Sequence, residues 1–343
     1  MATAIRPFHP DMGTDTITYT WVPTLEEYYR VYQPHGMEYG MQNMWGIVST
    51  DDGQPYFFTR EIGKEVSIFT FYNKVSGGME TPDEPMFAGK LFSGYILHHL
   101  DESEGTVTIA PQFKGDDYFS LTIKPQSFHF IDAGGSVDLN FEVLAASHTW
   151  YCPGKYGALD DSMYRSEHAR ITGTINGERV TGFGGMDSEW VPVGVGLREA
   201  KRYAVIEKYW LVWTTEYEDG TVEGGVYVRG LGNNATPYYY RNGEAFIPEK
   251  HHIEVKMRSN GLVEAATIYF DDKIFDFTGT SLSAEDVCAV SDGQNADEDQ
   301  GEDAGWVGGY VVSRDASSAP VKMFAMQESI PKRVLREGFD DLR

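Results

Sequence analysis

Three two-residue turn signals divide the second half of this sequence into pairs of apolar, strand-like segments. They are Asn176-Gly177, Asp219-Gly220 and Asn260-Gly261. Such pairs favour tight β-hairpins, because both central residues of the preferred turn need a positive φ. The short β-branched and aromatic segments beside these turns predict consecutive antiparallel strands. The sequence lacks the alternation of strands and helices that a parallel sheet requires.

The first half of the chain also shows a strand pattern. Val137, Leu139, Phe141 and Val143 alternate with polar residues, which indicates a strand with one buried face. About sixteen short strands are predicted along the chain, which is too many for one small barrel. We therefore predict an all-β fold of two tandem antiparallel barrels or sandwiches with few short helices.

The boundary between the two units is predicted in a stretch without strand pattern, Lys155–Ser166. It gives an N-terminal domain over residues 1–160 and a C-terminal domain over residues 161–343. One helix is predicted over residues 24–33, where Thr24 can cap the first turn.

Net charge and cysteine content limit the binding partners and the cellular compartment that are expected for this chain. The chain has 28 Lys and Arg against 52 Asp and Glu, a net charge of −24, which repels nucleic acid and anionic membrane surfaces. No apolar run is long enough to span a membrane, and the N-terminal residues do not resemble a signal peptide. Because the chain has only two cysteines, Cys152 and Cys288, we expect a cytoplasmic protein with free thiols. The sequence allows a homodimer but does not predict one.

His148 and Trp150 are the first candidates for chemistry. They are two residues apart on a predicted strand, so both side chains lie on the same face. A histidine beside a tryptophan in an apolar cavity could protonate a substrate or hold an acid in place. The simpler alternative is a structural histidine next to a core tryptophan.

Asp187 and Glu189 are the second candidates, directly after a strand that ends in Gly184 and Gly185. Glycines let backbone or a ligand approach closely. A carboxyl group in an apolar barrel has a raised pKa, so it can stay protonated near neutral pH and protonate an alkene or activate a carbonyl. The alternative is a β-bulge followed by a solvated aspartate.

Aromatic side chains are expected to shape the substrate pocket. Trp210 and Trp213 cannot share a face of a regular strand, so one is expected to face the cavity and the other the opposite side. Aromatic faces could stabilise a developing cation, although most aromatic-rich strands simply form core. The predicted substrate-binding residues are Trp45, Trp150, Tyr164, Trp190, Trp210 and Trp213.

No metal or nucleotide cofactor is predicted. The pairs His98-His99 and His251-His252 are adjacent residues, which point to opposite faces of a strand and do not form a metal site. The sequence has no glycine-rich phosphate loop that opens a helix, and no nucleophile elbow of the Gly-x-Ser-x-Gly type.

At the stretch from Gly182 to Trp190 the sequence resembles the AttH / carotenoid 1,2-hydratase (CrtC)-like superfamily of double lipocalin-like proteins. The resemblance rests on the hairpin GTINGERVTGFGG, on the Asp-x-x-Trp segment that follows it, and on the downstream Trp-rich strand Tyr209–Trp213. It implies two lipocalin-like barrels. It also implies that Asp187 stands at the position of the proposed proton donor.

The same resemblance places His148 and Trp150 at a His-x-Trp pair of these relatives. The chain departs from their pattern at Gly185, where they have an aromatic hydroxyl two residues before the Asp. In their Asp-His-x-Trp-Gly pattern, Ser188 here replaces the His and Val191 replaces the Gly.

The predicted function is a cofactor-independent enzyme for a bulky hydrophobic small molecule, such as a terpenoid, a steroid-like compound or a polyketide. The reaction class is acid–base hydration or dehydration, isomerisation or cyclisation. Asp187 would be the general acid, and His148 or Glu189 would tune its charge. The alternative is a non-catalytic carrier of a hydrophobic ligand, and a purely structural or interaction protein is the third candidate.

Overall fold

A computed structural model describes the chain as two compact units. The main segments of the first are residues 19–74 and 81–200, and the main segment of the second is residues 201–343. The described residues are 6–7, 16–29, 31–63, 66–75, 78–80, 90–93, 95–112, 118–153, 161–195, 208–230, 235–258, 262–279 and 305–329.

Fifteen of the described strands form one antiparallel sheet. They are β1 (Arg6–Pro7), β2 (Ile17–Trp21), β3 (Glu38–Thr50), β4 (Pro55–Ile62), β5 (Val66–Val75), β6 (Gly78–Glu80), β7 (Lys90–Ser93), β8 (Ile96–Asp101), β9 (Thr106–Pro111), β10 (Ser120–Lys124), β11 (Ser127–Asp132), β12 (Val137–Val143), β13 (Ser147–Cys152), β14 (Ser162–Ile175) and β15 (Glu178–Val191). The central order is β4-β3-β15-β14-β12-β11, and β13 also pairs with β14.

The β14–β15 hairpin is the centre of this sheet. Its turn is Asn176-Gly177, with φ of 53° and 79°, as the turn signal predicts. Pairing runs from Ile175 opposite Glu178 to Met163 opposite Trp190. The strands are longer than the sequence pattern indicates, because β3 and β13 continue the pairing past the apolar residues into a polar segment.

Nine described strands form a second antiparallel sheet. They are β16 (Tyr209–Tyr217), β17 (Val222–Arg229), β18 (Ala235–Arg241), β19 (Glu244–Phe246), β20 (His251–Met257), β21 (Val263–Phe270), β22 (Lys273–Gly279), β23 (Gly305–Ser313) and β24 (Pro320–Ser329). Their order is β19-β18-β17-β16-β24-β23-β22-β21-β20. The prediction of an all-β chain built from two antiparallel units is confirmed.

Each sheet has its own apolar core. The first core packs against one face of the first sheet and includes Phe58, Phe128, Phe130, Phe141 and Ile171. The second is centred on aromatic residues of the second sheet, including Trp213, Tyr227, Phe270, Phe275 and Phe277.

The helix predicted over residues 24–33 is wrong. The described helical residues there are a 3-10 turn, Leu25–Tyr28, followed by a second one at Pro34–Gly36. Thr24 does precede the turn, and the Glu27 carboxylate accepts hydrogen bonds from its backbone N–H at 2.8 Å and from its hydroxyl at 3.1 Å. The turn ends when Tyr29 takes an extended backbone conformation, after Tyr28 has entered the first core.

The first sheet continues past the boundary predicted at residue 160. β14 begins at Ser162 and pairs with β13 and β15, so the sheet reaches Val191. The compact units divide near residue 200. Cys288 and the predicted Asn260-Gly261 turn lie outside the described residues.

Candidate active site

Pairing of β13 with β14 places two predicted site residues on one face of the first sheet. His148 lies opposite Ser166, and Trp150 lies opposite Tyr164. Directly opposed residues of antiparallel strands project to the same side of the sheet. The Trp150 and Tyr164 rings are stacked, with centroids 5.4 Å apart and planes inclined by 17°.

Pairing of β14 with β15 adds the two predicted carboxyl groups to this face. Asp187 lies opposite Ser166, and Glu189 lies opposite Tyr164. Both acids are buried, and only 1% of Asp187 is exposed. We call this side of β13, β14 and β15 the Asp187 face. A solvated aspartate after a bulge, the simpler alternative for Asp187, does not describe its position.

Trp45 reaches the same face from β3, where it lies opposite Gly185. Its ring meets the His168 ring edge to face, with centroids 5.8 Å apart. The missing side chain of Gly185 makes room for the indole, because a Cβ atom there would lie 2.7 Å from a carbon of the Trp45 ring. At Gly184 the β3 backbone approaches closely. Protein groups therefore occupy the space at both glycines.

Burial sets the protonation of Asp187. It raises the pKa of this carboxyl to about 7, and the charge of Glu189 adds to the rise. Hydrogen bonding to Trp45, Ser166 and Tyr164 favours the carboxylate and acts in the opposite direction. At neutral pH the group is therefore present both as an acid and as its conjugate base.

The same burial keeps His148 uncharged. It lowers the pKa of the imidazole to about 3, and the neighbouring His168 lowers it further by charge repulsion. A neutral imidazole can hold a hydrogen-bond partner in place, but it has no acidic proton to deliver at neutral pH. Of the two roles considered for His148, only the orienting one fits this position.

Tyr164 stays a phenol for a related reason. Burial raises the pKa of its hydroxyl well above its usual value, and the charges of Asp187 and Glu189 raise it further. Its hydroxyl is therefore a permanent donor beside the acid.

Three of the predicted pocket residues are not on this face. Trp190 packs on the other side of β15 with Met37 and Met163. Trp213 lies in the core of the second sheet, where its ring is 5.4 Å from Phe275. Trp210 is half-buried on the opposite side of β16. Trp210 and Trp213 therefore lie on different faces of β16, and the prediction that one of them faces a cavity stays a prediction.

Ser166 and His168 belong to the site but were not among the predicted residues. Both lie on β14 in alternation with Tyr164, so they share its face. Counting back from the Asn176-Gly177 turn pairs Asp187 with Ser166, so the turn signal alone could have found this neighbour.

Within the described residues, no three His, Cys, Asp or Glu side chains are grouped as metal ligands. Cys152 is buried at the end of β13. None of the described helices has the length and apolar character needed to cross a membrane.

No protein-family model matches the sequence, and no curated protein matches it. Solved structures with a similar fold include a protein assigned as AttH from Nitrosomonas europaea, at 13% identity and a TM-score of 0.44, covering 95% of this chain and 99% of that one. CghA bound to Sch210972 has 11% identity and a TM-score of 0.46, with coverage of 85% and 88%. Kievitone hydratase from Nectria haematococca has 11% identity and a TM-score of 0.40, with coverage of 91% and 96%. The first of these structures has AttH in its name, which is also in the name of the superfamily that the Gly182–Trp190 stretch resembles.

Proposed function

We propose that this chain is an enzyme that transfers a proton from Asp187 to a bulky, apolar small molecule. The observation that supports this most is a carboxyl group that is wholly buried and has a pKa of about 7. A general acid works best when its pKa lies near the operating pH, because the protonated form is then both present and able to release its proton. A carboxyl that served only solubility would be exposed.

The proposed reaction class is hydration or dehydration, isomerisation or cyclisation. In the hydration case, Asp187 gives its proton to one alkene carbon, and the other carbon becomes cationic. The stacked rings of Trp150 and Tyr164 can stabilise that charge through their π faces. Water then forms the new C–O bond.

Glu189 completes the proton balance. It lies two residues after Asp187 on the same strand face, and we assign it as acceptor of the proton that the added water loses. Return of this proton to Asp187 restores the starting state, so the net change is addition of one water molecule. His148 remains neutral throughout and orients the acid. The step uses only protein side chains.

The test is isotope incorporation by the full-length protein. A panel of apolar alkenes, enones and their hydrates is incubated in ¹⁸O-labelled water or D₂O, and products are read by mass spectrometry. We expect label to enter at least one terpenoid, steroid-like or polyketide-like member. Asp187→Asn should lower that rate by about 10²–10⁴-fold, since Asn cannot deliver a proton.

The matched control is Asp138→Asn, which makes the same change at a half-exposed aspartate of β12. Its rate should equal that of the unchanged protein. Saturable binding of panel members without any label incorporation would identify a carrier and reject the catalytic proposal. Full turnover by a folded Asp187→Asn protein would move the acid role to Glu189.

A further inference from the structure

A second row of polar side chains lies on the other face of the β14–β15 hairpin. Arg165 lies opposite Ser188, and Ser188 lies opposite Gln42 of β3. We call these three residues the Arg165 row. Successive side chains of a strand point to opposite sides, so the row is separated from the Asp187 face by the sheet itself.

The Arg165 row is buried and its hydrogen bonding is incomplete. Each of its three residues is only 1% exposed. Within the described structure, Arg165 Nη1, the Ser188 hydroxyl and Gln42 Oε1 have no hydrogen-bond partner. Buried polar atoms are nearly always paired, so these three atoms in adjacent strands can offer hydrogen bonds to a further partner.

Aromatic rings hold the Arg165 guanidinium in place. Its central carbon lies 4.5 Å from the centroid of the Tyr28 ring and 5.2 Å from that of Trp190. Trp190 packs with Met37 and Met163, so flat aromatic rings and apolar side chains border the row. Half-buried tyrosines pack against this cluster and connect it with the surface: Tyr19, Tyr32 and Tyr151.

The charge of Arg165 is already balanced inside the site. Its Nε lies 3.5 Å from Glu167 Oε2, and both side chains are buried. Glu167 in turn accepts a hydrogen bond from the Tyr28 hydroxyl. Burial raises the pKa of Glu167, and the charge of Arg165 opposes that rise. An anionic ligand would compete with this carboxyl group for Arg165 in a poorly solvated place, which is unfavourable. The row therefore suits an uncharged ligand.

The order of donors and acceptors defines that ligand further. Arg165 can only donate, the Ser188 hydroxyl can do either, and the unpaired Gln42 Oε1 can only accept. Neighbouring strands are about 4.8 Å apart, so the two ends of the row are separated by roughly 10 Å. A complementary molecule carries an acceptor at one end and a donor at the other.

We propose that the Arg165 row binds an uncharged, flat, apolar molecule with a carbonyl oxygen at one end and a hydroxyl group at the other. The carbonyl accepts from Arg165 Nη1, and the ligand hydroxyl donates to Gln42 Oε1. Ser188 contacts the middle of the molecule. This is a second binding site of the first unit, and it does not depend on the reaction proposed for Asp187.

The test is calorimetric titration of the full-length protein with four matched probes. 4-Hydroxyacetophenone has both groups, acetophenone lacks the hydroxyl, 4-ethylphenol lacks the carbonyl, and 4-hydroxybenzoate carries a charge. We expect saturable binding of 4-hydroxyacetophenone, about tenfold or more tighter than each of the other three, because a buried polar group left unpaired weakens binding.

Two substitutions assign the ends of the probe. Gln42→Leu should abolish the preference for 4-hydroxyacetophenone over acetophenone and keep the preference over 4-ethylphenol. Arg165→Met should do the reverse. If Arg165→Met does not fold, as judged by circular dichroism, Ser188→Ala provides the second variant and should weaken 4-hydroxyacetophenone binding.

Gln327→Leu is the matched control, because Gln327 is equally buried but lies in the second sheet. It should leave all four affinities unchanged, and so should Asp187→Asn. The proposal is overturned if none of the probes binds saturably, if all four bind equally, or if Asp187→Asn abolishes binding. The last result would place the probe on the Asp187 face. None of these readouts involves turnover, so this proposal and the catalytic one can fail separately.

Discussion

Asp187 and His148 share one buried face, and burial moves their pKa values in opposite directions. Loss of water disfavours a charged carboxylate and a charged imidazole alike. The pKa of the acid therefore rises to about 7, while that of the histidine falls to about 3. Between these values both groups are mainly neutral, which suits the apolar substrate proposed above.

The stability of the protein should depend on Asp187 in a defined pH window. Its pKa rises from 3.8 to about 7 on folding, so the folded state holds the proton more tightly. The resulting stabilisation is complete below pH 3.8 and is lost as the pH rises through 7, on the order of 4 kcal/mol in total. Relative to the unchanged protein, Asp187→Asn should therefore gain melting temperature as the pH rises from 4 to 8. Asp51→Asn, at an exposed aspartate, is the control, and parallel Tm curves for both variants would contradict the raised pKa.

His148 should give a slope of the opposite sign. Its pKa falls from 6.5 to about 3 on folding, so its contribution is present above pH 6.5 and is lost as the pH falls toward 3. His148→Gln should flatten the decline of Tm between pH 6.5 and pH 4. His252→Gln, at a half-exposed histidine, should leave that decline intact. If His148→Gln leaves it intact as well, His148 is not buried in the neutral form.

Sequence reasoning at the residue scale identified a carboxyl group that is buried in the structure, but not all of its neighbours. Asp187 was identifiable because a carboxyl follows a glycine-ended strand, and alternation put His148 with Trp150. Trp190 was expected in the same pocket, but it is three residues from Asp187 and therefore projects to the other side of β15. Proximity in sequence is a poor guide to a shared strand face.

At the element scale, the site depends on close contact between β3 and β15. Gly185 leaves room for the Trp45 indole, whose hydrogen bonding lowers the pKa of Asp187. The two strands therefore set the acidity of the site as well as its shape.

Gly185→Ala should disturb this arrangement. A Cβ atom would clash with the Trp45 ring and with the backbone oxygen of Glu167. Overpacking of this kind costs about 1–3 kcal/mol of stability. Displacement of Trp45 should also raise the pKa of Asp187, which the carboxyl stretch in infrared difference spectra reports, with Asp187→Asn to assign the band.

Gly194→Ala separates this effect from general strain. Gly194 has a φ of 81° and open space around its Cα, so alanine there costs about 1–2 kcal/mol through the backbone alone. It should lower Tm without moving the Asp187 band. If Gly185→Ala also leaves the band in place, Trp45 has no part in tuning the acid.

The sequence predicted most strands but misjudged two kinds of segment. Apolar alternation predicted the strand Val137–Val143, because one of its faces packs in the core. The polar ends of β14 and β15 escaped this criterion, since their side chains are buried on both faces of the sheet. The segment 24–33 had a helical start signal, but burial of Tyr28 in the first core outweighs it.

At the scale of the whole molecule, the dominant feature is the excess of acidic residues. A net charge of −24 raises the free energy of the compact state through self-repulsion. Added salt should screen part of this self-repulsion, because the Debye length falls from about 30 Å at 0.01 M to about 8 Å at 0.15 M ionic strength. Tm at pH 8 should therefore rise over this range, as measured by calorimetry. Near the isoelectric pH the same salt step should have little effect, and an equal rise there would point to a cause other than charge repulsion.

The alternation of β15 has a consequence for how this protein can change over generations. Asp187 and Ser188 are consecutive residues that serve opposite sides of the sheet. Insertion or deletion of a single residue between the Asn176-Gly177 turn and Asp187 would exchange the two sides at once, carrying the acid to the face of the Arg165 row. A point substitution can change one face of the sheet alone. An insertion or deletion of an odd number of residues changes both faces together. Descendants of this chain should therefore vary in the identity of β15 residues far more freely than in their number.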